Sequence, residues 1–122
     1  MNEIEEFFKK AEKKLNSSKI LYESGDYANS LSLSYYAMLL VSKALLIQNG
    51  ITPTKHHGII EKFGEIIVHK GEFNINIYKY LTQTEALRQQ VDYEAIDDIS
   101  EKIAKNKIKQ AEEYIKEAKK FL

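Results

Sequence analysis

The thirteen residues YYAMLLVSKALLI, positions 35–47, decide the fold. Laid on a helix they are apolar on almost every side, and only Ser42 and Lys43 interrupt them. A helix of that kind has no face to give to water, so it belongs at the centre of a bundle. Crossing a bilayer takes about 20 apolar residues, more than this run offers, so no membrane partner is expected. The sequence reads as a soluble protein built around one buried helix.

Working outward, that helix starts near Tyr27 and ends near Asn49, where Gly50 stops it. Ahead of it, Ile4, Phe8, Ala11, Leu15, Ser18 and Tyr22 follow three-and-four spacing and predict a helix from about Asn2 to Ser24. Between the two lies SGDY, with Gly25 as a left-handed stop and Asp26 as the next N-cap, which gives a tight helical hairpin. After NGITPT, the segment HHGIIEKFGEIIVHK puts Ile59, Ile60, Phe63, Ile66 and Ile67 on one side of a third helix, with Gly58 and Gly64 as points of irregularity. KGEFN is the next break. Ile77, Leu81, Thr84, Arg88 and Val91 form a fourth stripe, and the acidic DYEAIDD reads as a loop or cap after it. A fifth helix runs from about Ile99 to Phe121, with Ala104, Ile108, Ala111, Ile115, Ala118 and Leu122 as its stripe. No alternating strand pattern and no repeat is present. The expectation is an all-α, up-and-down bundle of about five helices in a single domain, residues 1–122.

Composition narrows the function. Eighteen acids balance eighteen lysines and arginines, which argues against a non-specific nucleic-acid binder that relies on many phosphate contacts. The last segment, 99–122, is locally basic, with seven lysines against four acids, although charge runs of this kind usually solvate a helix face. With no cysteine, neither a disulfide framework nor a thiolate metal site can form. The amphipathic start MNEIEEFFKKAEKK does not read as a signal peptide, and the expected compartment is the cytoplasm.

Arg88 is the single arginine beside seventeen lysines. At 100° per residue it falls within about 40° of Ile77, Leu81 and Thr84, on the side that faces the bundle. A guanidinium placed there needs an anion, and its planar fork matches a carboxylate or a phosphate in a way lysine cannot. The simplest internal partner is Asp92, one turn later; an external phosphate is the alternative. Tyr36 and Lys43, seven residues apart on the central helix, could stack a base and hold its phosphate if they share a cleft with Arg88, whereas tyrosines at helical spacing, Tyr35 included, are more often core. His56 and His57 stand near the start of the third helix, where anions are favoured, but adjacent histidines point apart and make a poor metal pair. His69 and Glu65 suggest a surface pair. No metal site and no cofactor is expected.

The order of GDYANSLSLSYYAMLLVSKALLIQNG, then HHG, then RQQVDYE before a long lysine-rich helix resembles the HEPN domain family over nearly the whole chain. That resemblance implies a helical bundle that commonly dimerises. It also implies either RNA cleavage or pairing with a small nucleotidyltransferase in toxin and antitoxin modules, with nucleotide binding in some members. The ribonuclease members resemble one another in an arginine followed, four to six residues on, by a histidine. Here the corresponding positions after Arg88 are Tyr93, Glu94 and Ala95. The acid/base imidazole is absent, and tyrosine, with a pKa near 10, is a poor substitute at neutral pH. The reading is therefore a binding module, a homodimer working with RNA or a nucleotidyltransferase. Arg88, Asp92, Tyr36, Lys43 and His57 are its ligand candidates. A ribonuclease using Arg88 with His57 or Tyr93, and a nucleotide-binding module, are the alternatives.

Overall fold

The computed structural model describes residues 2–94 and 98–122. Among the described residues there are five α-helices and no strand: α1 (Glu3–Glu23), α2 (Tyr27–Gln48), α3 (His56–Phe63), α4 (Ile75–Tyr93) and α5 (Glu101–Lys119). A single π-helical turn, Gly64–Val68, prolongs α3.

Local chemistry sets the first hairpin. Asn2 caps α1 by accepting from the Glu5 amide at 2.9 Å, and Glu3, Glu5 and Glu6 place negative charge at the positive end of the helix. At the other end Gly25 takes φ +87°, the Gly25 amide donates to Tyr22 and the Asp26 amide donates to Leu21. This double bond pattern closes a Schellman turn, and Gly50 repeats it at the end of α2. The two helices then approach closely because serines line the seam. Ser18 Oγ donates to the Ser30 carbonyl at 2.7 Å and lies 2.8 Å from Ser34 Oγ, while Ser30 Oγ donates to the Ser18 carbonyl, so the buried hydroxyls are satisfied.

α2 touches all four other helices. Leu31, Tyr35, Met38, Val41, Leu45 and Leu46 are withdrawn from water. By length and composition α2 could cross a membrane, yet 67 % of that apolar window is buried inside the bundle, as befits a core helix.

Several departures from the expected stripes have physical causes. The segment after Phe63 does not continue as α-helix, because the Tyr78 phenol packs against Gly64; a Cβ there would lie 2.6 Å from the hydroxyl oxygen. That hydroxyl donates to the Ile60 carbonyl at 2.9 Å, and the ladder widens so that the His69 amide reaches Gly64 at 3.0 Å. The extra residue rotates the buried face. Val68 becomes buried beside Ile67, and Ile66 is only half-buried. Phe73, in the stretch that reads as a break, plugs the base of the core against Phe63, Tyr114 and Phe121. The fifth stripe ends early: Phe121 packs on the core and Leu122, past the end of α5, is 61 % exposed. α4 also runs on through Asp92 and Tyr93 where a loop was expected; no glycine or proline stops it, and Asp92 bonds back to Arg88 one turn earlier.

Not every α5 lysine solvates a surface. Lys107 is buried, its ammonium donating to Gln110 at 2.9 Å, and burial lowers its pKa. Glu117 is buried too, accepting from the Asn74 amide at 3.0 Å and pairing with Lys120, and thereby ties the start of α4 to α5.

Candidate functional site

Arg88 lies where the fourth stripe puts it, with 15 % of its side chain exposed. Its Nε and Nη2 donate to Glu85 at 3.3 and 3.4 Å, and its Nη1 donates to Asp92 at 2.5 Å. Gln89 fixes Glu85 in turn, donating at 2.8 Å. Burial alone would lower the pKa of the guanidinium, but the Glu85 hydrogen bond and charge outweigh it, so the net shift is upward and the cation is permanent. Asp92 is the partner expected from the sequence. Glu85, one turn on the other side at equal helical reach, was not foreseen.

The flat face of the guanidinium covers aromatic rings on α2. Its central carbon is 4.8 Å from the centroid of Tyr35 and 5.9 Å from that of Tyr36. Tyr35 and Tyr36 meet edge to face at 5.2 Å. The Tyr35 hydroxyl is fully buried and has no hydrogen-bond partner among the described residues. Burial, and after it the neighbouring Glu85 carboxylate, push its pKa well above the ordinary tyrosine value; the Arg88 charge opposes this without reversing it.

On the other side of Tyr36 the imidazole of His56 stands 5.4 Å from the ring, and 6.2 Å from that of Tyr35. His56, at the first turn of α3, thus joins the tyrosines, whereas His57 points outward with 88 % of its side chain exposed and pairs with Glu61 at 3.4 Å. Tyr36 and His56 both open onto a cleft of about 280 Å³ between α1, α2 and the start of α3, together with Lys43, Lys10, Lys14 and Thr54. Tyr36 is therefore the wall shared by Arg88 and this cleft. Lys43 leans its ammonium over the Phe7 ring at 5.1 Å.

Tyr93, the last residue of α4, is 87 % exposed, and it lines a separate shallow groove with Gln90 and Lys107. Glu94 caps α4 with its amide; Ala95 lies outside the described residues. Glu65 pairs with Lys62 at 3.4 Å and not with His69. Among the described residues no three of His, Cys, Asp or Glu gather as metal ligands would.

The HEPN domain model matches residues 4–121. The chain belongs to the HEPN domain family. Two relatives in Methanocaldococcus jannaschii are each named "Putative toxin". One is 32 % identical over 120 residues, 98 % of this chain and 82 % of that protein, and the other 33 % identical over 120 residues, 98 % and 89 %. A UPF0332 protein of Pyrococcus horikoshii is 40 % identical over 82 residues, 67 % of this chain and 58 % of that protein. This HEPN chain is an all-α module whose arginine is paired with two carboxylates of its own helix, and the imidazole nearest that cluster comes from α3 and not from the residues after Arg88.

Proposed function

We propose that this HEPN module is the RNA-engaging, non-cleaving member of a toxin and antitoxin-like pair whose other member is a small nucleotidyltransferase. The observation that carries the reading is the pairing of Arg88 with two carboxylates of its own helix. Between Glu85 and Asp92 the guanidinium sits in a triplet of net charge −1, which repels a phosphate and opposes the build-up of negative charge in a phosphorane. The lysine-lined cleft beyond Tyr36 supplies the positive surface instead. Toxin-named relatives support the pairing, and the partner class follows from the family resemblance. A homodimer is part of the same reading, with the apolar Leu87 and Tyr93 in the open groove of α4 as the surface to bury.

The test is incubation of the purified protein with structured RNAs in chelator, with retention on a filter and strand integrity read from the same samples. Retention without cleavage supports the reading; cleavage lost in Arg88→Ala with helicity preserved overturns it. Sedimentation of the protein at micromolar concentration checks the dimer, and co-purification with a co-expressed nucleotidyltransferase checks the partner.

A competing reading has one observation in its favour. His56 beside Tyr36 brings an imidazole to the edge of the Arg88 cluster, which is what a metal-independent ribonuclease with a displaced acid/base needs. His56→Ala abolishing cleavage, with His57→Ala and Tyr93→Phe leaving it intact, would select that reading.

A further inference from the structure

α5 buries two charged side chains, and only one of them meets an opposite charge. Glu117 accepts from the Asn74 amide at 3.0 Å and pairs with Lys120 at 3.0 Å. Lys107 lies in the apolar stripe of the same helix, beside Ala104, Ile108 and Ala111, and is only 5 % exposed. Its ammonium has three donors to satisfy and meets one protein acceptor, the Gln110 side-chain oxygen at 2.9 Å. No carboxylate pairs with it among the described residues.

The groups around it supply no compensation. Ile103, Ala104, Gln110 and Ala111 stand one turn away on α5, and none of them titrates. At the end of α4, Tyr93 and Glu94 share a groove with Lys107 without an ion pair to it. α2 carries one charge, Lys43, which leans over Phe7. The α1 groups that reach α5 do so at other residues: Lys19 at Glu112, Tyr22 at Glu101 and Glu12 at Lys119. Burial is accordingly what lowers the pKa of the amine, so its neutral form is more populated than that of a solvated lysine. A lysine desolvated in this way is activated as a nucleophile, because its lone pair is free more of the time.

The groove that Lys107 lines with Gln83, Ala86, Leu87 and Gln90 has a volume of about 780 Å³ and gives small molecules a way to the amine. We infer that Lys107 is an acylation site, which takes an acyl group from a small activated donor, an acyl phosphate or an acyl thioester. The neutral nitrogen attacks the acyl carbon and a C–N bond forms. The C–O bond to phosphate or the C–S bond to the thiol breaks, the leaving group departs with the bonding pair, and the proton shed by nitrogen passes to water. The product suits the place better than the reactant. An amide is uncharged, so burial no longer opposes it, and its N–H can still donate to Gln110. The new carbonyl enters a groove where Gln83 and Gln90 carry amide donors. Acylation thereby tightens α4 against α5. The site goes beyond the reading above and meets it at one point: a dimer that buries the α4 groove covers Lys107, so acylation belongs to the free protomer.

The experiment is acylation of the full chain by acetyl phosphate and, in parallel, by the acetyl thioester of N-acetylcysteamine, with the occupancy of each of the seventeen lysines followed by mass spectrometry of peptides. At dilute protein and about pH 7, Lys107 is expected to acetylate faster than Lys102, Lys105 and Lys109, its exposed neighbours on α5. That lead should vanish near pH 10.4, where solvated lysines also become neutral. The donor that reacts identifies the source of the acyl group. Thermal unfolding supplies a second readout. The midpoint is expected to shift upward on acetylation in wild type more than in Lys107→Met, at matched occupancy of the other lysines, since methionine already lacks the charge. Lys107 no faster than its exposed neighbours with either donor, a lead that persists unchanged at about pH 10.4, or an equal midpoint shift in wild type and Lys107→Met would overturn the proposal. Labelling of Lys107 that falls as protein concentration rises would support both the site and a dimer over the groove. Labelling that leads at every concentration would support the site and remove the dimer from that groove.

Discussion

The guanidinium carbon of Arg88 lies 4.8 Å from the centroid of the Tyr35 ring, and neither side chain offers much of itself to water. One helix supplies the cation and both of its carboxylates, while the central helix supplies the aromatic surface beneath it. The stack holds α4 against α2 at the end that carries the candidate site, and the pairing within α4 fixes the guanidinium over the rings. Arg88→Ala leaves Glu85, whose side chain is 15 % exposed, without its counter-ion, and is expected to cost about 2–3 kcal/mol. Arg88→Lys keeps the charge but loses the fork and the stack, at about 1–2 kcal/mol. Asp92→Asn, at a side chain 45 % exposed, should cost less than about 1 kcal/mol. Urea unfolding of the three variants checks the order. Equal losses for Arg88→Lys and Asp92→Asn would mean that the stack contributes nothing.

Two buried tyrosines should respond in opposite ways to loss of the hydroxyl. Tyr35 has no hydrogen-bond partner among the described residues, so Tyr35→Phe removes an uncompensated polar group and is expected to be neutral or stabilising by up to about 1 kcal/mol. Tyr114 and Ser42 share a hydroxyl to hydroxyl bond of 2.5 Å inside the core, so Tyr114→Phe should cost about 1–2 kcal/mol. Thermal unfolding of the pair reads the difference, and a large loss in Tyr35→Phe would reveal a partner for that hydroxyl.

Much of this architecture was legible in the sequence because local chemistry fixes it. Gly25 and Gly50 take the left-handed turns that their places after two helical stripes require, and Asp26 caps the helix that follows it. The inward direction of Arg88 follows from helical periodicity alone, and so does Asp92 as a partner. What escaped depends on residues far apart in sequence. Phe73 reads as part of a break but fills the core, because three aromatic rings from other segments leave it a socket. The irregularity at Gly64 was visible, but its form depends on a phenol fourteen residues further on. His56 and His57 are indistinguishable by composition, and only the entry angle of α3 turns the first toward Tyr36 and the second toward Glu61. The lysine cleft joins positions 10 and 14, one turn apart on α1, to position 43 of α2, which no spacing rule connects to them.

Gly64 offers a test in which the sign is the result. In an ordinary helix Gly→Ala stabilises by about 1 kcal/mol. Here the new methyl would lie 2.6 Å from the Tyr78 hydroxyl and 3.0 Å from its ring carbon, so the phenol must move and release the Ile60 carbonyl. Gly64→Ala is expected to destabilise by about 1–3 kcal/mol. In a Tyr78→Leu background that penalty should fall by half or more, since the two sites are coupled through direct contact. A Gly64→Ala protein as stable as wild type would mean that Tyr78 does not impose the π-helical turn.

The same buried phenols set the alkaline limit of stability. Burial is the leading cause that raises the pKa of both Tyr35 and Tyr114; the Ser42 hydrogen bond opposes it at Tyr114 without reversing it. In the unfolded chain each tyrosine releases its proton near pH 10, while the folded state retains it. Their contribution is therefore complete below about pH 10 and declines above it, by about 1.4 kcal/mol per pH unit for each tyrosine, until the folded groups ionise. Lys107 works in the other direction: burial lowers its pKa, so between that lowered value and about 10.4 the unfolded state holds the extra proton and stability rises with pH. Subtracting the profile of Tyr35→Phe from that of wild type removes the lysine effect and isolates one phenol. Urea unfolding from pH 8 to pH 11.5 should show a difference that is flat to about pH 10 and then steepens. A difference that stays flat to the end would place the Tyr35 hydroxyl in contact with solvent, and with it the ring on which Arg88 rests.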